Sequence, residues 1–126
     1  MTRTALFIAF VMTAACNSPT EDCAEVGRDG LAMIITDSIT GASLQSQALV
    51  TVAQLTAPFE TRSGPISVSP SPLDLAADRP GPYRITVIVA GYDTWTRDVT
   101  VERTPGSCPE TITLTVAARL VPSTQQ

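Results

Sequence analysis

From Gly30 to Leu120 apolar residues recur at every second position in short runs, and glycine or proline cuts off most of them. Period two belongs to strands, whose side chains alternate between faces. No stretch repeats at the 3.6-residue period of a capped amphipathic helix. Such a chain buries one face of each strand, so it is expected to fold as an all-β protein. The expected architecture is a small antiparallel β-sandwich of six to eight strands.

The clearest run is Tyr83 to Val89, with Tyr83, Ile85, Val87 and Val89 on one face. Leu31, Met33 and Ile35 share a face in the opening run. Asp37 to Gly41 reads as a turn, with Asp37 bonding the backbone and Gly41 at positive φ. Ala48 to Leu55 is a second strand, with a bulge expected where Val52 and Leu55 fall out of phase. The middle is less regular. Ser63-Gly64-Pro65 reads as a turn, Ile66 and Val68 as one face of a strand, and Leu73 and Leu75 as another alternation. Pro70 and Pro72 stop any central strand there. Trp95, Arg97, Val99 and Val101 are in phase, and Ile112, Leu114 and Val116 open the closing strand.

At 126 residues with 44% hydrophobic content, the chain suits one domain with a core. It has no histidine, and all 8 basic residues are arginine, against 12 acidic ones. The usual general base and the commonest metal ligand are therefore missing. The acidic balance disfavours nucleic acid as a partner.

Residues 1–15 read as a signal peptide. Arg3 gives the positive start, Ala5 to Met12 the apolar core, and Thr13-Ala14-Ala15 the small residues before Cys16. The apolar run is too short to span a bilayer as a helix. Met12 to Cys16 resembles a bacterial lipobox, with Thr13 where leucine usually stands. Two readings are open: Cys16 becomes the lipid-modified first residue, or an ordinary signal peptidase cuts after Ala15 and the chain is secreted. Lipid modification would anchor the chain to the membrane in the cell envelope. The processed chain would keep 7 arginines against 12 acidic residues, a net side-chain charge of -5. Residues 16–25 then form a tether, 26–121 the sandwich and 122–126 a tail.

With Cys16 assigned to lipid, Cys23 and Cys108 remain as a pair. An exported chain sits where disulfides persist, so the two are expected to bond. Neither has a C-x-x-C partner, and two cysteines are too few for a zinc site.

Three segments resemble the carboxypeptidase regulatory-like domains, whose sandwich is transthyretin-like. They are Asp37-Ser38-Ile39-Thr40-Gly41-Ala42 after the opening strand, Gly81-Pro82-Tyr83-Arg84-Ile85-Thr86-Val87, and Ala90-Gly91-Tyr92 before a strand ending at Val99 to Val101. The chain departs from the family between Phe59 and Ala77, where Pro70 and Pro72 stand. The resemblance implies a transthyretin-like or Greek-key topology and a non-catalytic accessory or interaction role.

Candidate chemistry is sparse. Asp74 with Asp78 across a proline-rich bend, and Asp93 with Asp98 around a strand start, are the candidate carboxylate pairs, but EF-hand spacing is absent and solvated turns account for them. Ser38, Ser43 and Ser107 lack a histidine or lysine to activate them. No cofactor, metal site or catalytic residue is expected. Tyr83, Tyr92 and Trp95 are the possible binding residues. Exposed together they would stack on a sugar or anchor a peptide; otherwise Tyr92 tucks under the Gly91 turn and Trp95 packs in the core. The expected role is structural or protein contact with an unidentified envelope protein. The alternative is a carbohydrate- or peptide-binding module built on exposed aromatic rings.

Overall fold

The computed structural model describes Cys23 and residues 28–124. The signal segment, Cys16 and most of the tether lie outside the described residues. Six strands form two packed sheets: β1 (Leu31–Asp37), β2 (Leu49–Gln54), β3 (Thr61–Pro65), β4 (Gly81–Ile88), β5 (Trp95–Val101) and β6 (Leu114–Leu120). One sheet has the order β3-β2-β4-β5 and is antiparallel throughout. The other is the pair β1-β6, which is parallel, with Leu31 beside Leu114 and Asp37 beside Leu120. The fold is a small β-sandwich, and this parallel pair departs from the antiparallel pairing expected throughout.

Alternation sets the core. Leu31, Met33 and Ile35 are buried from β1, Val50 and Val52 from β2, and Tyr83, Ile85 and Val87 from β4. Val116, Ala118 and Leu120 come in from β6, and Val101 from β5. The outward face of the large sheet carries Thr51, Thr86 and Thr96, where β-branched hydroxyl side chains suit a pleated surface. No bulge interrupts β2, which holds register with both neighbours to Ala53 because Leu55 lies past its end.

The irregular middle differs most from expectation. Ser63, Gly64 and Pro65 are not a turn; they pair with Thr51, Val50 and Leu49 as an edge strand. Ile66 to Ser69 is a chain of turns and bends, not a strand. Leu73 and Leu75 sit in a 3-10 helix, Pro72–Ala76. Its start explains it: the Ser71 hydroxyl accepts from Leu73 N–H at 3.3 Å, and Asp74 accepts from Ser71 N–H at 2.8 Å. This reciprocal cap, with proline in the first turn, favours a helical turn over an extended run. Leu75 and Ala76 are then buried in the core.

Gly30 is required by that packing. A Cβ there would stand 2.2 Å from the Ala76 carbonyl oxygen, and backbone on both sides leaves little room to yield. Gly30→Ala is expected to lower stability by about 1–3 kcal/mol, as overpacking does, in denaturant unfolding. No measurable change would mean that the helix is not seated against the start of β1.

Pro122 and Ser123, read from the sequence as the start of a tail, are pinned. Asp93 N–H donates to the Val121 carbonyl at 2.8 Å, and Ser123 N–H to the Gly91 carbonyl at 2.9 Å.

Candidate functional site

One end of the sandwich is closed by covalent chemistry. Cys23 and Cys108 form a disulfide with their Cα atoms 5.4 Å apart. Cys108 lies in the hairpin loop between Thr104 and Glu110, whose backbone atoms pair at 2.8 Å. Arg28 and Glu110 form an ion pair at 3.2 Å beside it.

The opposite end is closed by a polar lock. Asp37 ends β1 and is buried, and one carboxylate oxygen accepts from Ile39 N–H at 2.7 Å and Thr40 N–H at 3.1 Å. The other oxygen accepts from the Tyr92 hydroxyl at 2.8 Å. Gly91 permits this with φ +85°, a conformation that side-chain-bearing residues rarely adopt. The turn expected at Asp37 to Gly41 is present, and its aspartate also reaches across the fold, 55 residues in sequence, to Tyr92.

Thr40 N–H, then Ile39 N–H and the Tyr92 hydroxyl, hold the Asp37 carboxyl below its ordinary value of 3.8. The same bond pushes the Tyr92 phenol up. A carboxylate depressed by folding stabilises above its unfolded value, and that contribution is lost as pH falls through the lower folded value. Acid unfolding should therefore steepen below about pH 4 in the wild type. Asp37→Asn should flatten this limb. Identical acid limbs in the two proteins would remove the lock from the stability of the fold.

The three aromatic candidates do not form a platform. Tyr83 is 0% exposed, in the middle of the core, with its hydroxyl donating to the Arg79 carbonyl at 2.7 Å. Burial removes it as a binding residue: a ring inside the sandwich cannot meet a ligand. Tyr92 is half-buried with its hydroxyl committed to Asp37, and Trp95 is half-buried against the core. Trp95→Ala is expected to cost about 2 kcal/mol in denaturant unfolding, less than a fully buried aromatic would. A loss below about 1 kcal/mol would place the ring outside the packed structure.

Three of the four candidate carboxylates are likewise occupied. Asp74 caps the 3-10 helix, and Asp98 pairs with Arg84 at 2.8 and 2.9 Å. That pairing holds the Asp98 carboxyl below its ordinary range. Asp93 accepts from the Ser123 hydroxyl at 3.1 Å. Among the described residues, no group of three His, Cys, Asp or Glu side chains stands together to hold a metal ion. No described helix is long and apolar enough to cross a membrane.

Sequence reasoning missed the Asp37–Tyr92 pair as a unit. The acid and the phenol each sat in a recognised turn, but nothing local announced that the turns meet. No family model matches the chain, and no curated protein matches it.

Proposed function

We propose that this chain is a non-catalytic exported protein of the cell envelope, lipid-anchored at Cys16, whose sandwich serves structure or protein contact. The observation that carries the reading is the Cys23–Cys108 disulfide, a bond that persists in exported proteins and is rare in a reducing cytosol. The signal-like segment and the cysteine at its end agree with it.

The side chains support a non-catalytic role. The carboxylates best placed for chemistry cap a helix, close a turn or pair with arginine. A carbohydrate platform finds no support, because Tyr83 is interior and the Tyr92 hydroxyl is spent within the fold. The kinship with carboxypeptidase regulatory-like domains belongs to this proposal. What favours it is the two-sheet sandwich, with Gly91-Tyr92 used as a structural turn.

The test is phase partitioning of the full chain expressed in a bacterial host. The wild type should enter the detergent phase, because several acyl chains on Cys16 give durable anchoring. Cys16→Ser should stay aqueous or keep its leader uncleaved. Equal partitioning of the two processed proteins would overturn the anchor and leave a secreted protein.

A further inference from the structure

The two sheets have four edges, and the chain treats them differently. The free edge of β1 is closed. Leu44 N–H donates to the Ile35 carbonyl and Asp37 N–H to the Ala42 carbonyl, both at 2.9 Å, and the Gln45 amide reaches the Met33 carbonyl at 2.7 Å. The free edge of β3 is five residues long and ends in Pro65, which has no N–H to offer.

On the other side, β5 and β6 are joined only beyond their ends. At one end Ile112 N–H donates to the Glu102 carbonyl, and at the other Asp93 N–H donates to the Val121 carbonyl, both at 2.8 Å. Between those bonds β6 pairs with β1 alone and β5 with β4 alone. Leu114 N–H points toward β1, donating to the Gly30 carbonyl at 3.0 Å. Period two then turns the backbone groups of Thr115, Ala117 and Arg119 away from β1, toward an edge on which no strand lies among the described residues.

The ground beyond that edge has a defined chemistry. A strand added beside β6 would extend the two-stranded sheet along the inner face of β5. There Trp95, Arg97 and Val99 follow one another at period two. The two apolar residues are half-buried, while Arg97 is exposed and makes no ion pair among the described residues. At one end, beside the Ile112–Glu102 bond, Thr100, Glu102, Ile112, Thr113 and Leu114 line a shallow hollow of about 260 Å³.

We propose that the free edge of β6 docks an extended peptide segment of a partner protein as a third strand. The segment's inward side chains would run apolar, acidic, apolar over Trp95, Arg97 and Val99. Main-chain bonds supply the affinity of such an added strand, and pockets for alternate side chains supply its selectivity. Arg97 sets the charge preference. The proposal deepens the protein-contact reading above and does not depend on the anchor, so the Cys16→Ser result stands or falls separately.

The test is amide hydrogen exchange, read by NMR, on the full chain in mild detergent. The probe is a synthetic peptide, Thr-Val-Thr-Glu-Thr-Val-Thr, with a lysine version in place of glutamate as the control. Saturating glutamate peptide should slow exchange at Thr115, Ala117 and Arg119 by about tenfold or more, as ligand-linked protection does. Ala117→Pro removes the middle donor at an edge where proline is tolerated, and should abolish this protection with the circular dichroism unchanged. Arg97→Glu should switch the preference to the lysine peptide, by about fivefold, the scale of one exposed ion pair. If Ala117→Pro does not fold, the Arg97→Glu switch decides alone. Unchanged exchange with excess glutamate peptide, equal protection in folded Ala117→Pro, or no switch in Arg97→Glu would each overturn the proposal. So would a dimer whose three amides are protected without peptide, since the edge would then belong to a second copy.

Discussion

Removing the disulfide by Cys23→Ser with Cys108→Ser should lower the unfolding free energy by about 4.5 kcal/mol, from the entropy of a loop this long. The two cysteines are 85 residues apart, so the bond closes nearly the whole domain. Both lie on the exposed surface, so their replacement opens no cavity in the core. The effect therefore arises in the unfolded chain, which gains the conformations that the cross-link forbids. For a domain of this size the loss corresponds to a fall in melting temperature of roughly 20 °C. Equilibrium denaturation of the double variant beside the oxidised wild type measures it. A difference below about 1 kcal/mol would mean that noncovalent contacts already restrain this end as well as the bond does. The contacts in question are Arg28 with Glu110 and the Thr113 hydroxyl on the Asp29 carbonyl.

Tyr83→Ala should cost about 3–5 kcal/mol, the range for a buried aromatic replaced by a methyl group. Tyr83 is the largest fully buried side chain. It sits in β4 between Gln54, the last residue of β2, and Val99 of β5, so its ring fills the larger sheet's inner face toward the end of β2. Tyr83→Phe separates two contributions. It keeps the ring and deletes only the hydroxyl that holds the Arg79 carbonyl, and should cost about 1 kcal/mol. Burial also pushes the Tyr83 phenol up, so the ring stays neutral across the ordinary pH range. Urea unfolding of the three proteins decides the matter. A loss below about 1 kcal/mol for Tyr83→Ala would contradict a core position.

The cysteine positions carry topological information. Cys23 precedes β1 and Cys108 precedes β6, so a bond between them brings the starts of both strands to one end. Two strands that start together and pair must run parallel, as β1 and β6 do. The expectation of antiparallel pairing throughout followed instead from short turns, which govern neighbours in sequence but not the first and last strands. The 3-10 helix was also partly legible. Ser71-Pro72-Leu73-Asp74 carries the spacing of a reciprocal cap, yet the alternation of Leu73 and Leu75 reads equally well as extended chain. Over so few residues, periods of 2 and 3 cannot be told apart.

By itself the sequence determined the strand-rich class, the faces of β1 and β4, the Asp37 turn and the cysteine pairing. Each rests on period two, on local turn chemistry or on counting, and needs no knowledge of what packs where. Only the tertiary structure decided that Ser63 to Pro65 pair as an edge strand and that Asp37 locks to Tyr92. It alone decided that β6 pairs with β1 and with no other strand among the described residues. These are outcomes of contacts between segments distant in the chain. An alternating pattern says which side of a strand is apolar, but the strand lying beside it is chosen by the burial of the whole core.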